Sequence, residues 1–266
     1  MGTVRTLYNN AELAQAAYAN LTVGSTNTLS NLAELKDPDD GAGMTQTQAD
    51  EFAVRYDEII NHIPNTASGF SATVFKSTTT GELTIAFRGT EGLGIDLFEA
   101  DLGQILPYGA AYNQIVDMYN WWRRISTSSG PVEQFGVQPY LEGIDPVPPG
   151  AVLLYTKDGS GPAPIRTMYY LIPEASAQAT GELSSEADAS SLDLTGHSLG
   201  GHLSIAFNAL FESNVDQVTT FNAPGFIDST ANQNFFEALG GHVPNESNIV
   251  NIVADEANTG DDPFSP

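Results

Sequence analysis

From residue 192 onward the chain alternates with a regularity that few architectures satisfy. "LDLTG" reads as a short buried strand, residues 199–212 as a helix, "VDQVTTFNAPG" as a strand, residues 230–239 as a helix and "SNIVNIVADE" as a strand. Strand, helix, strand, helix, strand calls for an α/β fold with a parallel central sheet and helices packed on its faces. The 266 residues, 41% of them apolar, suffice for one domain with a sizeable core. No repeat period and no long low-complexity tract divides them.

The earlier part of the chain is less regular. Asn9 or Asn10 is placed to cap a first helix running through Leu21, with Leu13, Ala17, Tyr18 and Leu21 along one side. Residues 25–44 are polar and read as loop, with "DPDDGAG" as its clearest breaker. "TQTQADEFAVRYDEIINHIP" reads as a second helix. Thr45 and Gln48 form a capping-box pair, Phe52, Tyr56, Ile59, Ile60 and Ile63 recur at helical spacing, and Pro64 ends the run. Residues 70–87 read as a hairpin turning at 78–81. "YGAAYNQIVDMYNWWRRI" reads as a third helix. Its stripe of Tyr108, Tyr112, Ile115, Tyr119 and Trp122 is expected to pack in the core rather than to hold a cofactor. Residues 126–165, rich in Ser, Gly and Pro, are expected to be a lid, a cap insertion or an irregular connection, and "TMYYLIP" a short strand.

Composition removes several kinds of chemistry. There is no cysteine, which excludes disulfides, thiol nucleophiles and thiolate metal sites. Thirty-three acidic residues against nine basic ones give a net charge of −24, which repels a phosphate backbone and argues against a nucleic-acid partner. The same charge opposes strongly anionic membranes but leaves neutral lipid interfaces open. No apolar stretch reaches the length of a membrane-spanning helix. The first thirty residues show no basic segment followed by an apolar run. H-E-x-x-H and the phosphate-loop pattern are both absent.

Gly196, Ser198 and Gly200 spell G-x-S-x-G between a strand and a helix. The pattern alone is weak in a chain with 25 glycines. Its strand-turn-helix setting is what a nucleophile elbow requires. The helix beginning at Leu199 would point its positive end at a developing anion. Acyl transfer needs two backbone N–H groups aimed at that anion. Leu199 is placed to supply one. The strand exit "TIAFRGT", ending at Thr90, is placed to supply the other, with the Thr90 hydroxyl as a further donor.

"TIAFRGT", "LTGHSLGG" and "FNAPG" together resemble class 3 lipases in order and spacing, over about residues 70–255. They are especially similar to the catalytic domains of bacterial lipases and phospholipases exported without an amino-terminal signal. The resemblance implies an α/β-hydrolase fold, a secreted bacterial ester hydrolase acting on lipid-like or polyester substrates through an acyl-enzyme, Ser198 as nucleophile, and Thr90 and Leu199 as oxyanion donors. It implies no cofactor. Calcium enters only because glycine- and aspartate-rich calcium repeats often follow such domains in the exported relatives, and no such repeats occur here. In this fold the acid follows the strand after "FNAPG", which selects Asp255, with Asp262 in "DDPF" as the alternative.

The base is harder to find. The four histidines are His62, His197, His202 and His242, and none follows Asp255, where the fold expects one. His202 lies one helical turn beyond Ser198. His242 enters the last strand at its amino end and so should lie a strand length from Ser198, though it remains the alternative base if the geometry is rewired. The expectation is a single domain over 1–266 that is truncated at its carboxyl end. The competing expectation is a hydrolase scaffold that binds lipid or a partner without catalysis. The oligomeric state is open.

Overall fold

A computed structural model describes residues 4–90, 108–160, 164–184, 191–245 and 248–254. Its main sheet has seven strands: β1 (Gly24–Ser25), β2 (Glu58–Ile63), β3 (Ala72–Lys76), β4 (Leu83–Phe87), β8 (Leu192–His197), β9 (Val215–Phe221) and β10 (Ile249–Ile252), side by side in that order. β4, β8, β9 and β10 run parallel; β1 to β3 extend the sheet antiparallel. Between β4 and β8 the chain builds a second, antiparallel sheet from β5 (Pro131–Leu141), β6 (Val152–Lys157) and β7 (Thr167–Gln178), with β7 in the middle.

Helices cover both faces of the main sheet. On one side α1 (Val4–Ala16), α2 (Leu29–Lys36) and α3 (Gln46–Arg55) enclose Leu13, Leu35, Phe52, Ile59, Phe75 and Ala86. On the other, α4 (Tyr112–Ser126), α5 (Leu199–Phe211) and α6 (Thr230–Ala238) pack on Val74, Ile85, Phe87, Leu194 and Val218. Neighbouring residues of β4 thus serve opposite cores, and all five are buried, as expected of a central strand covered on both faces. Twelve of the 13 residues of α5 are buried, which explains why that helix carries no Asp, Glu, Lys or Arg. The tyrosine stripe of α4 packs in this core: Tyr112 and Ile115 are fully buried and Trp122 nearly so. Among the described residues no helix is long and apolar enough to cross a membrane.

Three segments differ from the sequence reading. The Thr45–Gln48 capping box opens α3, but that helix ends at Arg55, and 58–63 is strand β2, paired with β3 through Ile59↔Phe75 and His62↔Thr73. Isoleucines spaced for a helix face also suit a strand, and the free edge of β3 decides between them. The first helix begins at Val4, before Asn9 and Asn10, and ends at Ala16, so Tyr18 and Leu21 lie beyond it. Within 25–44, α2 forms on the Thr28 hydroxyl, which accepts from the Asn31 amide. Residues 126–165 are not an irregular connection; they hold two strands of the second sheet. Asn120 of α4 bonds both backbone groups of Phe135, and the Phe135 ring meets Tyr119 edge-on, so this sheet is fastened to α4.

At the amino end of β8, burial and the nearby Glu82 and Asp216 raise the Asp193 carboxyl to about 6. The fold therefore favours the protonated acid. That contribution is complete below the unfolded value near 4 and is lost as pH rises through 6. Asp193→Asn should stabilise the protein at pH 8 by about 1–2 kcal/mol and by nothing measurable at pH 4. Thermal unfolding at the two pH values checks this; an equal gain at both would contradict it.

Candidate functional site

The turn between β8 and α5 is made by one residue. Ser198 has φ 54° and ψ −123°, a conformation that costs a non-glycine residue of order 1–3 kcal/mol. Two backbone bonds hold it there. Its N–H donates to Phe221 O at 2.8 Å, and its C=O accepts from His202 N at 3.1 Å. The half-buried side chain makes no capping bond to the helix.

The flanking glycines let three elements meet at this turn. A Cβ on Gly196 would strike the backbone of Gly200 and Gly201. One on Gly200 would strike the carbonyl of Phe87, and one on Gly201 the side chain of Ala223. The first turn of α5 is therefore seated directly on the ends of β4, β8 and β9. Leu199, Gly200 and Gly201 precede the first i→i−4 bond of α5, which His202 makes, so their N–H groups have no acceptor within the helix.

Strand register sets out the rim around Ser198. Phe87 pairs with Gly196, so Gly89 and Thr90 leave β4 beside the turn, and a Cβ on Gly89 would strike the carbonyl of His197. The Thr90 hydroxyl oxygen is buried and has no hydrogen-bond partner among the described residues. On the other side Phe221 pairs with His197 and with Ile252 of β10. Asn222, at φ 50°, donates its N–H to Ile252 O and accepts the Ala254 N–H on its side-chain oxygen at 2.8 Å. The rim thus runs from Thr90 through Ser198 and Asn222 to Ala254. Asp255 and Asp262 lie outside the described residues.

The histidines occupy four different settings. His202 is fully buried. Its Nε2 accepts from the Ala111 N–H, its Nδ1 is 3.0 Å from Pro224 O, and its ring stacks on Phe226. Both nitrogens are thereby engaged, and burial pushes the imidazole down to about 4. His62 lies in β2, not in a helix, bonded to Thr73 Oγ1 and Asn20 Oδ1; burial, with the Arg88 charge, lowers it to about 4 as well. His242 sits at the other end of α5, its N–H on Ala209 O and its ring 3.4 Å from Glu212. His197 ends β8, exposed, with Nδ1 3.2 Å from the Tyr18 hydroxyl. Asn222 lies within the "FNAPG" stretch and Tyr18 on the apolar side expected of the first helix, but neither is among the site residues expected from the sequence.

No family model matches this chain, and no curated protein does. Among solved structures it is similar to a triacylglycerol lipase described as having a serine-protease triad at its catalytic centre. The identity is 14%, over 94% of this chain and 70% of that one, at a TM-score of 0.37. It is also similar to the native propeptide complex of Rhizomucor miehei lipase, at 14% identity over 90% of this chain and 60% of that one, with a TM-score of 0.34. The chain thus spans 60–70% of the length of these two proteins. Likenesses at this level establish neither family nor activity.

Two outcomes follow from this geometry. Ser198→Gly should be more stable than Ser198→Ala by about 1 kcal/mol, because only glycine takes this backbone conformation without strain. Urea unfolding of the two variants measures the difference, and equal midpoints would remove the strain. His62 and His202 are neutral in the fold, so their stabilisation is present above 6.5 and is lost as pH falls toward 4. Each contributes up to about 1.4 kcal/mol per pH unit in that window. His62→Gln should flatten the dependence of stability on pH between 6.5 and 4; an unchanged slope would contradict the assignment.

Proposed function

We propose that the protein is a serine ester hydrolase of lipase type, acting on neutral, lipid-like or polyester acyl esters. The observation that carries the reading is the strained Ser198 turn, with the first amides of α5, which have no acceptor within the helix, on one side and the Thr90 strand exit on the other. In this reading Ser198 Oγ attacks the ester carbonyl. The Leu199 and Thr90 N–H groups, with the Thr90 hydroxyl, hold the resulting oxyanion. The alcohol leaves with a proton, and water then releases the acyl group. Asp255 is the proposed acid, with Asp262 as the alternative; the Asn222–Ala254 bond supports the first by bringing the end of β10 onto the same rim. The second sheet and its β5–β6 loop carry exposed Leu141, Ile144, Val147 and Leu153, which suits contact with an apolar interface. Among the described residues no three His, Asp or Glu side chains converge as a bound cation needs, and no step is assigned to calcium.

The proton leaving Ser198 needs an acceptor. His62 and His202 are engaged elsewhere, and His242 stands beside Glu212 at the far end of α5. This favours a second reading, a hydrolase scaffold that binds acyl ligands without turning them over. It also gives an expected rate. The chain should hydrolyse nitrophenyl butyrate slowly, at about the 10³–10⁴-fold over water that an oxyanion hole and binding supply without a base. Added imidazole should raise that rate. A fluorophosphonate probe should label Ser198 and fail on Ser198→Ala. No labelling, with fatty-acyl binding retained, would leave the scaffold reading. Fast turnover abolished by His242→Ala would overturn the placement of the base.

A further inference from the structure

Tyr18 follows α1 in a run of small residues, and its neighbours Ala16, Ala17 and Ala19 are fully buried against the sheet. That packing fixes the backbone from which its ring projects. The ring reaches the carboxyl rim from the α1 side of the sheet, and its hydroxyl meets both strands that flank the turn. Nδ1 of His197, the residue before Ser198, is 3.2 Å away. The Gly89 backbone lies against the same hydroxyl, which a Cβ at 89 would strike. Gly89 is thus wedged between the phenol oxygen and the His197 carbonyl. One hydroxyl ties the exit of β4 to the exit of β8 at the level where Thr90 and Ser198 stand.

We infer that Tyr18 is a positioning residue for the oxyanion side of the site, its hydroxyl bonded to His197 and packed on the Gly89 backbone so that the Gly89–Thr90 segment is held at a set distance from Ser198. This rests on the reading of Ser198 as nucleophile. The contact is chemically consistent. A phenol donates one proton, here to His197 Nδ1, while its oxygen stays against the Gly89 backbone. A neutral His197 with its proton on Nε2 satisfies that arrangement. The contact matters because Thr90 is the first residue beyond it. Its amide direction follows the peptide plane of Gly89–Thr90, and parallel pairing of β4 with β8 extends only to Phe87↔Gly196. Oxyanion donors act through preset direction, so a small rotation of that plane weakens the transition state while leaving ester binding in place.

The test is Tyr18→Phe in the full chain, with Tyr8→Phe as control; Tyr8 bonds Glu12 on the same helix and touches nothing at the rim. Four measurements are made: the second-order rate of fluorophosphonate labelling of Ser198, kcat and KM for nitrophenyl butyrate, hydrogen exchange at the Gly89 and Thr90 amides, and the thermal midpoint. In Tyr18→Phe the labelling rate and kcat should fall about tenfold with KM changed less than twofold. Exchange at Gly89 should quicken, and the thermal midpoint should stay within about 2 °C of the parent. The control should match the parent throughout. A parent labelled at Ser198, with Tyr18→Phe labelled at the same rate and Gly89 exchange unchanged, overturns the role of Tyr18 alone. A parent not labelled at all overturns the nucleophile reading, and this inference with it. A parallel loss in KM, kcat and thermal midpoint overturns it as well, because it marks a structural contact only.

Discussion

The site rests on how closely backbone approaches backbone at the carboxyl end of the main sheet. α5 has to begin within one residue of the end of β8 while resting on β4 and β9. Gly196, Gly200 and Gly201 permit that approach, since a methyl group at any of them would meet an atom of a neighbouring element. Ser198 takes up the reversal in a left-handed conformation. The cost is borne locally and is met by the packing of a helix buried on nearly every side. The start of α5 directly after Ser198 leaves its first amides without an acceptor inside the helix.

The elements around this corner make its position rigid. His202 joins α5 to the start of α4 and to the loop after β9 through two ring nitrogens and a stack on Phe226. Asn251 does similar work one strand away, accepting from Thr220 and the Ala223 amide and donating to the Ala223 carbonyl. Histidine and asparagine here are brackets for loops that would otherwise leave backbone groups unpaired. A histidine close in sequence to a candidate nucleophile can therefore be wholly structural, and His202 shows the physical reason. Its nitrogens are spent, and burial holds the ring neutral.

Much of the arrangement was legible from residues. The alternation after 192, the hairpin at 70–87, the capping box at Thr45 and the burial of the α4 tyrosines could all be read locally. The failures have a common form. Ile59, Ile60 and Ile63 fit a helix face as well as a strand, and the edge of β3 decided. Residues 131–141 contain Pro and Gly at spacings that suggest loop, yet ten of them pair with β7. α2 has as its local signal a single capping threonine before three leucines in an eight-residue run, too short to stand out from its polar surroundings. In each case the deciding partner lies elsewhere in the chain.

By itself the sequence determined the corner at Ser198 and the direction of the strands beside it. Glycine spacing, the switch of apolar period and the alternation of elements are short-range properties that survive without knowledge of contacts. Only the tertiary structure decided which histidines are spoken for, which segments become edge strands, and that a tyrosine from the start of the chain reaches the rim of the sheet. Those outcomes depend on which polar atoms find partners across the fold, and a hydrogen bond between residues 18 and 197 leaves no periodicity for a reader of the sequence to find.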